Sequence, residues 1–75
     1  MRTRPMFGRM PKTYGQVRRA LRRAGWTMIR QRGSHQFWVS PDGQRAVSVA
    51  GKDSDTMSAG TLASTRRRTG LEELR

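Results

Sequence analysis

The side chains that could do chemistry in this chain are few. Its 75 residues contain a single histidine, His35, no cysteine and five carboxylates. The carboxylates are scattered, at Asp42, Asp53, Asp55, Glu72 and Glu73. A divalent-metal centre or a catalytic carboxylate pair needs converging ligands, so the sequence disfavours both. Ser34 beside His35 makes a poor nucleophile and base pair, because neighbouring residues on an extended chain point to opposite faces.

One histidine can still support the cleavage of RNA. The 2'-hydroxyl nucleophile belongs to the substrate, and an imidazole can move protons near neutral pH, a role usually worth about 10²- to 10⁴-fold in rate. Cations stabilise the phosphoryl oxygens, and the candidates flanking His35 are Arg30, Arg32 and Lys52. Gly33 would let a phosphate approach the backbone beside the histidine. The alternative interpretation is a histidine that only forms hydrogen bonds.

The charge of the chain indicates a polyanionic partner. Sixteen Lys and Arg residues against five Asp and Glu residues give a formal net charge of +11, which favours nucleic acid. Residues 1–32 contain no acid and ten bases, namely Arg2, Arg4, Arg9, Lys12, Arg18, Arg19, Arg22, Arg23, Arg30 and Arg32. An acidic protein, an anionic membrane or a merely solvated basic surface are the alternatives.

The length of the chain allows one domain with a thin core. Residues 1–11 have no periodicity and are expected to form a disordered or loosely docked basic arm, and residues 12–75 the domain. The longest apolar run, residues 37–39, predicts no membrane span. With no cysteine and no secretory signal in the sequence, we expect a cytoplasmic protein.

A first helix is predicted from Thr13, which has the spacing of a capping box with Gln16. Apolar residues follow at helical intervals, at Val17, Ala20, Leu21 and Ala24, which leaves Arg18, Arg19, Arg22 and Arg23 to solvent. Gly25 is placed to end the helix in the left-handed conformation.

Three strands are predicted next, at residues 26–31, 35–40 and 45–49, with a turn at residues 40–43. A period of two puts Phe37 and Val39 on one face and Trp38 on the other. The residues expected to pack together are Ile29, Phe37, Val39, Val47, Val49, Val17 and Leu21.

A second helix is predicted over residues 58–69, capped by Ser58 and ended by Gly70. Its apolar face is poor, since it offers only Leu62 and Ala63, with Leu71 just beyond. The resulting α-β-β-β-α order predicts an α+β fold like that of double-stranded-RNA-binding domains, with a three-stranded antiparallel sheet and two helices on one face.

Five short motifs occur in a fixed order along this chain. They are Gly25-Trp26, Gly33-Ser34-His35, Pro41-Asp42-Gly43, Gly60-Thr61-Leu62 and Gly70-Leu71. In order and spacing the set resembles the HicA toxin family over residues 13–71. Family members often carry a second histidine where this chain has Gln36, a proline and a histidine where it has Ala50 and Lys52, and isoleucine and leucine where it has Thr65 and Arg66.

The resemblance implies a double-stranded-RNA-binding-like fold and a toxin that cleaves messenger RNA without metal or cofactor. It makes His35 the catalytic residue and implies that a HicB-like antitoxin binds over the active site. Residues expected to contact RNA are Arg18, Arg22, Arg30, Arg32, Gly33, Ser34 and Lys52. The rival hypotheses are an RNA-binding module without catalysis and a protein whose arginines bind an acidic partner.

Overall fold

The fold was analysed in a computed structural model that describes residues 11–75. The elements are α1 (Tyr14–Arg23), β1 (Thr27–Arg32), β2 (His35–Val39), β3 (Ala46–Ala50), α2 (Ala59–Thr69) and a C-terminal 3-10 helix (Glu72–Leu74). The order and the antiparallel sheet β1-β2-β3 confirm the predicted fold class. The expected arm, apart from Pro11, lies outside the described residues.

Local sequence signals set both ends of α1. The Thr13 hydroxyl accepts a hydrogen bond from the backbone N–H of Gln16 at 3.1 Å, and the Thr13 N–H donates to the Gln16 side chain at 2.8 Å. This reciprocal pair satisfies two N–H groups that a helix start leaves free. Gly25 follows the helix with φ of 87°, a conformation that costs glycine little.

Tight turns connect the three strands. Gly33, with φ of 61°, and Ser34 join β1 to β2 so that Arg32 pairs with His35 and Arg30 with Phe37. Residues 40–45 join β2 to β3, and within them the Gly43 N–H donates to the Ser40 carbonyl at 2.9 Å. The ladder of β1 is interrupted by a bulge between Met28 and Arg30.

The core lies between the helices and one face of the sheet. Its buried apolar residues are Val17, Ala20, Leu21, Trp26, Trp38, Val47, Val49, Met57 and Leu74. The predicted packing of Val47 and Val49 with Val17 and Leu21 is therefore confirmed. Trp38, which is 1% exposed, lies opposite Val47 in the ladder and shares its face.

The prediction that Ile29, Phe37 and Val39 lie in the core is wrong. Ile29 is 63% exposed, Phe37 is 36% exposed, and Val39 is half-buried on the face away from Trp38. Three consecutive apolar residues in β2 give no alternation from which the inward face could be read, and the large indole occupies the covered side. Ile29 lies at the bulge, where the alternation of β1 is broken.

The second helix compensates for its poor apolar face with threonines that bond to its own backbone. The hydroxyls of Thr65 and Thr69 donate at 2.8 Å to the carbonyls of Thr61 and Thr65, so both residues can be buried. Ser58 caps the helix and Gly70 ends it with φ of 73°, as predicted. Leu74 then enters the core from the 3-10 helix.

Candidate active site

His35 is the first residue of β2 and directly follows the Gly33–Ser34 turn. Its ladder partners are Arg32 on β1 and Ala50 on β3. Because side chains alternate along a strand, His35 lies on the face opposite Trp38 and away from the helices. The imidazole is exposed there.

An aromatic ring stacks on the imidazole, and two arginines lie on the same face of the sheet. The rings of His35 and Phe37 are nearly parallel, at an angle of 12° with centroids 5.6 Å apart. The Arg30 guanidinium lies 5.8 Å from the centroid of Phe37, and Arg32 is directly opposite His35. We call the surface formed by Arg30, Arg32, His35 and Phe37 the open face; all four residues are exposed within the described part of the chain.

Arg18 lies on the helix side of the sheet and forms hydrogen bonds that hold the turn preceding His35. Its Nη2 atom donates to the carbonyl of Ser34 at 2.8 Å and to that of Val49 at 3.2 Å. Its Nη1 atom donates to a carboxylate oxygen of Asp53 at 2.7 Å. We call this set of hydrogen bonds the Arg18 clamp. It fixes the backbone on which the imidazole is mounted.

The segment after β3 is docked on the start of α1. The backbone N–H groups of Tyr14 and Gly15 donate to the carbonyls of Asp55 at 2.9 Å and Asp53 at 3.0 Å. A Cβ atom on Gly51 would lie 2.6 Å from the Tyr14 ring, so this approach requires glycine at position 51. This docking places the Asp53 carboxylate beside the Arg18 guanidinium.

The predicted site residues fall into two groups. Arg30 and Arg32 lie on the open face with His35, and Gly33 and Ser34 form the adjoining turn. Exposed Lys52 follows β3 at the end where Ala50 pairs with His35 and the Gly51 N–H lies 3.4 Å from the Ser34 carbonyl. These residues therefore meet around one end of the sheet.

Arg18 and Arg22 lie on the helix side instead. Arg22 is exposed, with its guanidinium 5.3 Å from the centroid of the buried Trp38 ring. The prediction that Arg18 faces solvent is wrong, because its side chain is 8% exposed and its hydrogen bonds are made within the protein. Arg18 and Arg22 line a groove of about 380 Å³ together with Arg19 and Gln36.

A carboxylate stabilises the far end of β2. Hydrogen bonds from the Ser40 hydroxyl and the Gln44 N–H, with the charge of Arg45, hold the pKa of Asp42 below its usual 3.8.

Among residues 11–75 no three His, Cys, Asp or Glu side chains are grouped as metal ligands, and no helix of this part of the chain is long and apolar enough to cross a bilayer.

Sequence reasoning misses two residues of the site. It places Phe37 in the core, although a spacing of two from an exposed His35 on a strand puts both on one face. Asp53 carries no local signal, because its partner Arg18 is 35 residues away. The first could have been found from the sequence, and the second depends on the tertiary fold.

The ordered motifs and the fold agree with the comparison with protein families. A family model described as the HicA toxin of bacterial toxin-antitoxin matches residues 14–71. Neither the curated proteins nor the solved structures give a match to the chain. Since the matched segment takes in both helices, all three strands and the Gly33–His35 turn, the chain belongs to the HicA toxin family and is the toxin member of a toxin–antitoxin pair.

Proposed function

We propose that this toxin is an endoribonuclease that cleaves messenger RNA with His35 as its proton-transfer residue. The observation that supports this most is the exposed imidazole between Arg32 and Phe37, in a chain that belongs to a toxin family. The resemblance of the Gly33-Ser34-His35 motif to the family pattern implies the same role.

The reaction requires two proton transfers and stabilisation of charge on phosphorus. The ribose 2'-hydroxyl attacks the adjacent phosphorus, its proton leaves to a base, and the bond from phosphorus to the 5'-oxygen breaks as that oxygen gains a proton. The products are a 2',3'-cyclic phosphate and a 5'-hydroxyl. His35 carries out one of the two transfers, as base or as acid, and water carries out the other, so no metal is needed to generate the nucleophile.

The cations on either side of His35 bind the scissile phosphate in this proposal. Arg32 is directly across the ladder from His35, Lys52 follows β3 two residues after the other ladder partner Ala50, and both are exposed. Positive groups held in place before the reaction stabilise the charge that develops on the phosphoryl oxygens. Gly33 and Ser34 leave the backbone of the turn accessible to the RNA.

Arg18 acts in this proposal as a positioning residue. Its two bonds to the carbonyls of Ser34 and Val49 hold the turn at the distance from β3 that places His35 opposite Ala50. In this proposal Arg19 and Arg22, which are exposed on the same helix, contact the RNA instead of Arg18.

The proposed partner is a HicB-like antitoxin that covers the open face and so blocks His35. Membership of the family implies an antitoxin partner, and the family resemblance implies its HicB type and its binding over the active site. The proposed site of action is the cytoplasm, where messenger RNA is translated.

A second candidate function is RNA binding without cleavage, and the basic helix side supports it. Arg19 and Arg22 lie in a groove separated from His35 by the sheet, so they could hold RNA whether or not the histidine reacts.

Replacement of the histidine separates the two functions. In a buffer with EDTA, His35→Ala should cleave a messenger RNA about 10²- to 10⁴-fold more slowly than the natural chain and should bind it with similar affinity. Gln44→Ala, an exposed change at the other end of β2, is the matched control and should cleave normally. Unchanged cleavage by His35→Ala would refute the catalytic role. If neither the natural chain nor any variant cleaves the RNA, the result would favour RNA binding without cleavage.

A further inference from the structure

Proton transfer by His35 leaves the aromatic side chain beside it unexplained. Phe37 is one of two large apolar residues that are exposed among residues 11–75, the other being Ile29. The core does not use the ring, and the phosphate chemistry does not require it. An exposed aromatic residue beside a catalytic group is a candidate for substrate contact.

The ring is part of a stacked group of planar side chains. It is within 12° of parallel to the imidazole, and the Arg30 guanidinium lies over it at 5.8 Å from the centroid. Nucleobases stack on aromatic rings and on guanidinium planes, whatever their sequence. Phe37 and Arg30 therefore offer the two kinds of surface on which a base can stack.

The charges of the open face determine which partner fits. Arg30 and Arg32 flank the two rings on β1, and the described part of this face carries no acidic residue. A ribose-phosphate backbone that passes Arg32 would place a phosphate by that guanidinium and the neighbouring base over Arg30 and Phe37. A duplex keeps its bases stacked and paired inside, so only an unpaired strand can use the ring.

We propose that Phe37 and Arg30 form a stacking subsite for an unpaired base next to the cleaved phosphodiester. This subsite rests on the proposed function for its position beside the scissile bond. It makes the toxin select single-stranded RNA through the open face, a mode unlike the shape recognition of duplex RNA that the fold class is known for.

The test measures binding separately from cleavage. The probe is a fluorescent single-stranded oligodeoxynucleotide, which lacks the 2'-hydroxyl and cannot be cleaved by the proposed route. Phe37→Leu keeps an apolar side chain without a π face and should weaken binding about tenfold to a hundredfold, while Phe37→Trp should retain it. Neither change should weaken binding of the same strand with abasic residues.

Two controls keep the result interpretable. Arg30→Gln, at an exposed position, provides a second variant and should also weaken binding of the intact strand more than that of the abasic one. Thermal unfolding of each variant by circular dichroism verifies the fold, and Val39→Ala on the same face is the matched control that should bind normally.

The outcomes distinguish this subsite from the catalytic proposal. If Phe37→Leu binds the strand as well as the natural chain does, or loses affinity equally for abasic and duplex probes, the subsite is refuted. It is also refuted if Phe37→Leu weakens only the binding of the purified antitoxin. If instead His35→Ala cleaves normally but Phe37→Leu binds weakly, the subsite stands and the catalytic proposal fails.

Discussion

The two faces of the sheet differ in what their side chains contribute. The covered face buries Trp38, Val47 and Val49 under the helices. The open face carries His35 and Phe37 in the same strand, alternating with those buried positions. In a chain too short for a large core, one face supplies the stability and the other is left available for function.

The largest effect expected from this division is on the covered face. Trp38→Ala should cost about 3 to 5 kcal/mol in the free energy of unfolding, because it removes a fully buried indole and leaves a cavity. Phe37→Ala, one residue away, should cost less, because its ring is already 36% exposed and its removal leaves no enclosed cavity. Urea denaturation of both variants measures the difference, and equal losses would contradict the assignment of the two faces.

A somewhat smaller contrast is expected between two arginines of α1 that are four residues apart. Arg18→Ala removes the donor to the buried Val49 carbonyl and to the partly buried Ser34 carbonyl, and it should lower the free energy of unfolding by about 2 to 4 kcal/mol. Arg22→Ala removes an exposed side chain and should change it by about 1 kcal/mol or less. Chemical denaturation of both variants measures the contrast.

The proposed positioning role of Arg18 is tested by a measurement that a change in stability alone would not alter. Arg18→Lys keeps the charge but loses the planar fork that binds two carbonyls and a carboxylate. It should lower kcat for RNA cleavage while KM stays close to that of the natural chain, at a temperature where both are folded. Full activity of a folded Arg18→Lys variant would leave the Arg18 clamp with a structural role only.

The smallest expected effect is at Asp42, in the turn that joins the two strands carrying the core residues Trp38 and Val47. The pKa of this carboxyl is lower in the folded chain than its usual 3.8, so its contribution to stability is present above that pH and is lost as the pH falls through the lowered value. Asp42→Asn should therefore have a slightly lower Tm than the natural chain at neutral pH, and the two should converge in acid. A constant difference across the pH range would show that the charge plays no part.

Local signals explain why most of the fold is predictable. The capping box of Thr13 and Gln16 and the stop at Gly70 involve neighbours in sequence, and the structure has them as expected. The inward face of β2 is not predictable from Phe37-Trp38-Val39 by alternation. It could have been inferred from His35, since an exposed histidine two residues before Phe37 places both on the outer face.

The supports of the site are beyond local prediction. The Arg18 clamp joins residues 16, 31 and 35 positions apart in the chain. Charge and helical periodicity alike assign such an arginine to solvent. Its partners lie in the Gly33–Ser34 turn, in β3 and in the 51–55 segment, and only the tertiary fold brings them to α1.

The bulge in β1 has a consequence for association between copies of this protein. β1 is an edge strand, and edge strands expose unpaired backbone groups that can seed aggregation. A bulge between Met28 and Arg30, followed by two arginines that repel their counterparts on another copy, makes this edge a poor template for fibril growth. The bulge and the two charges should therefore disfavour polymerisation along β1 while the open face stays accessible.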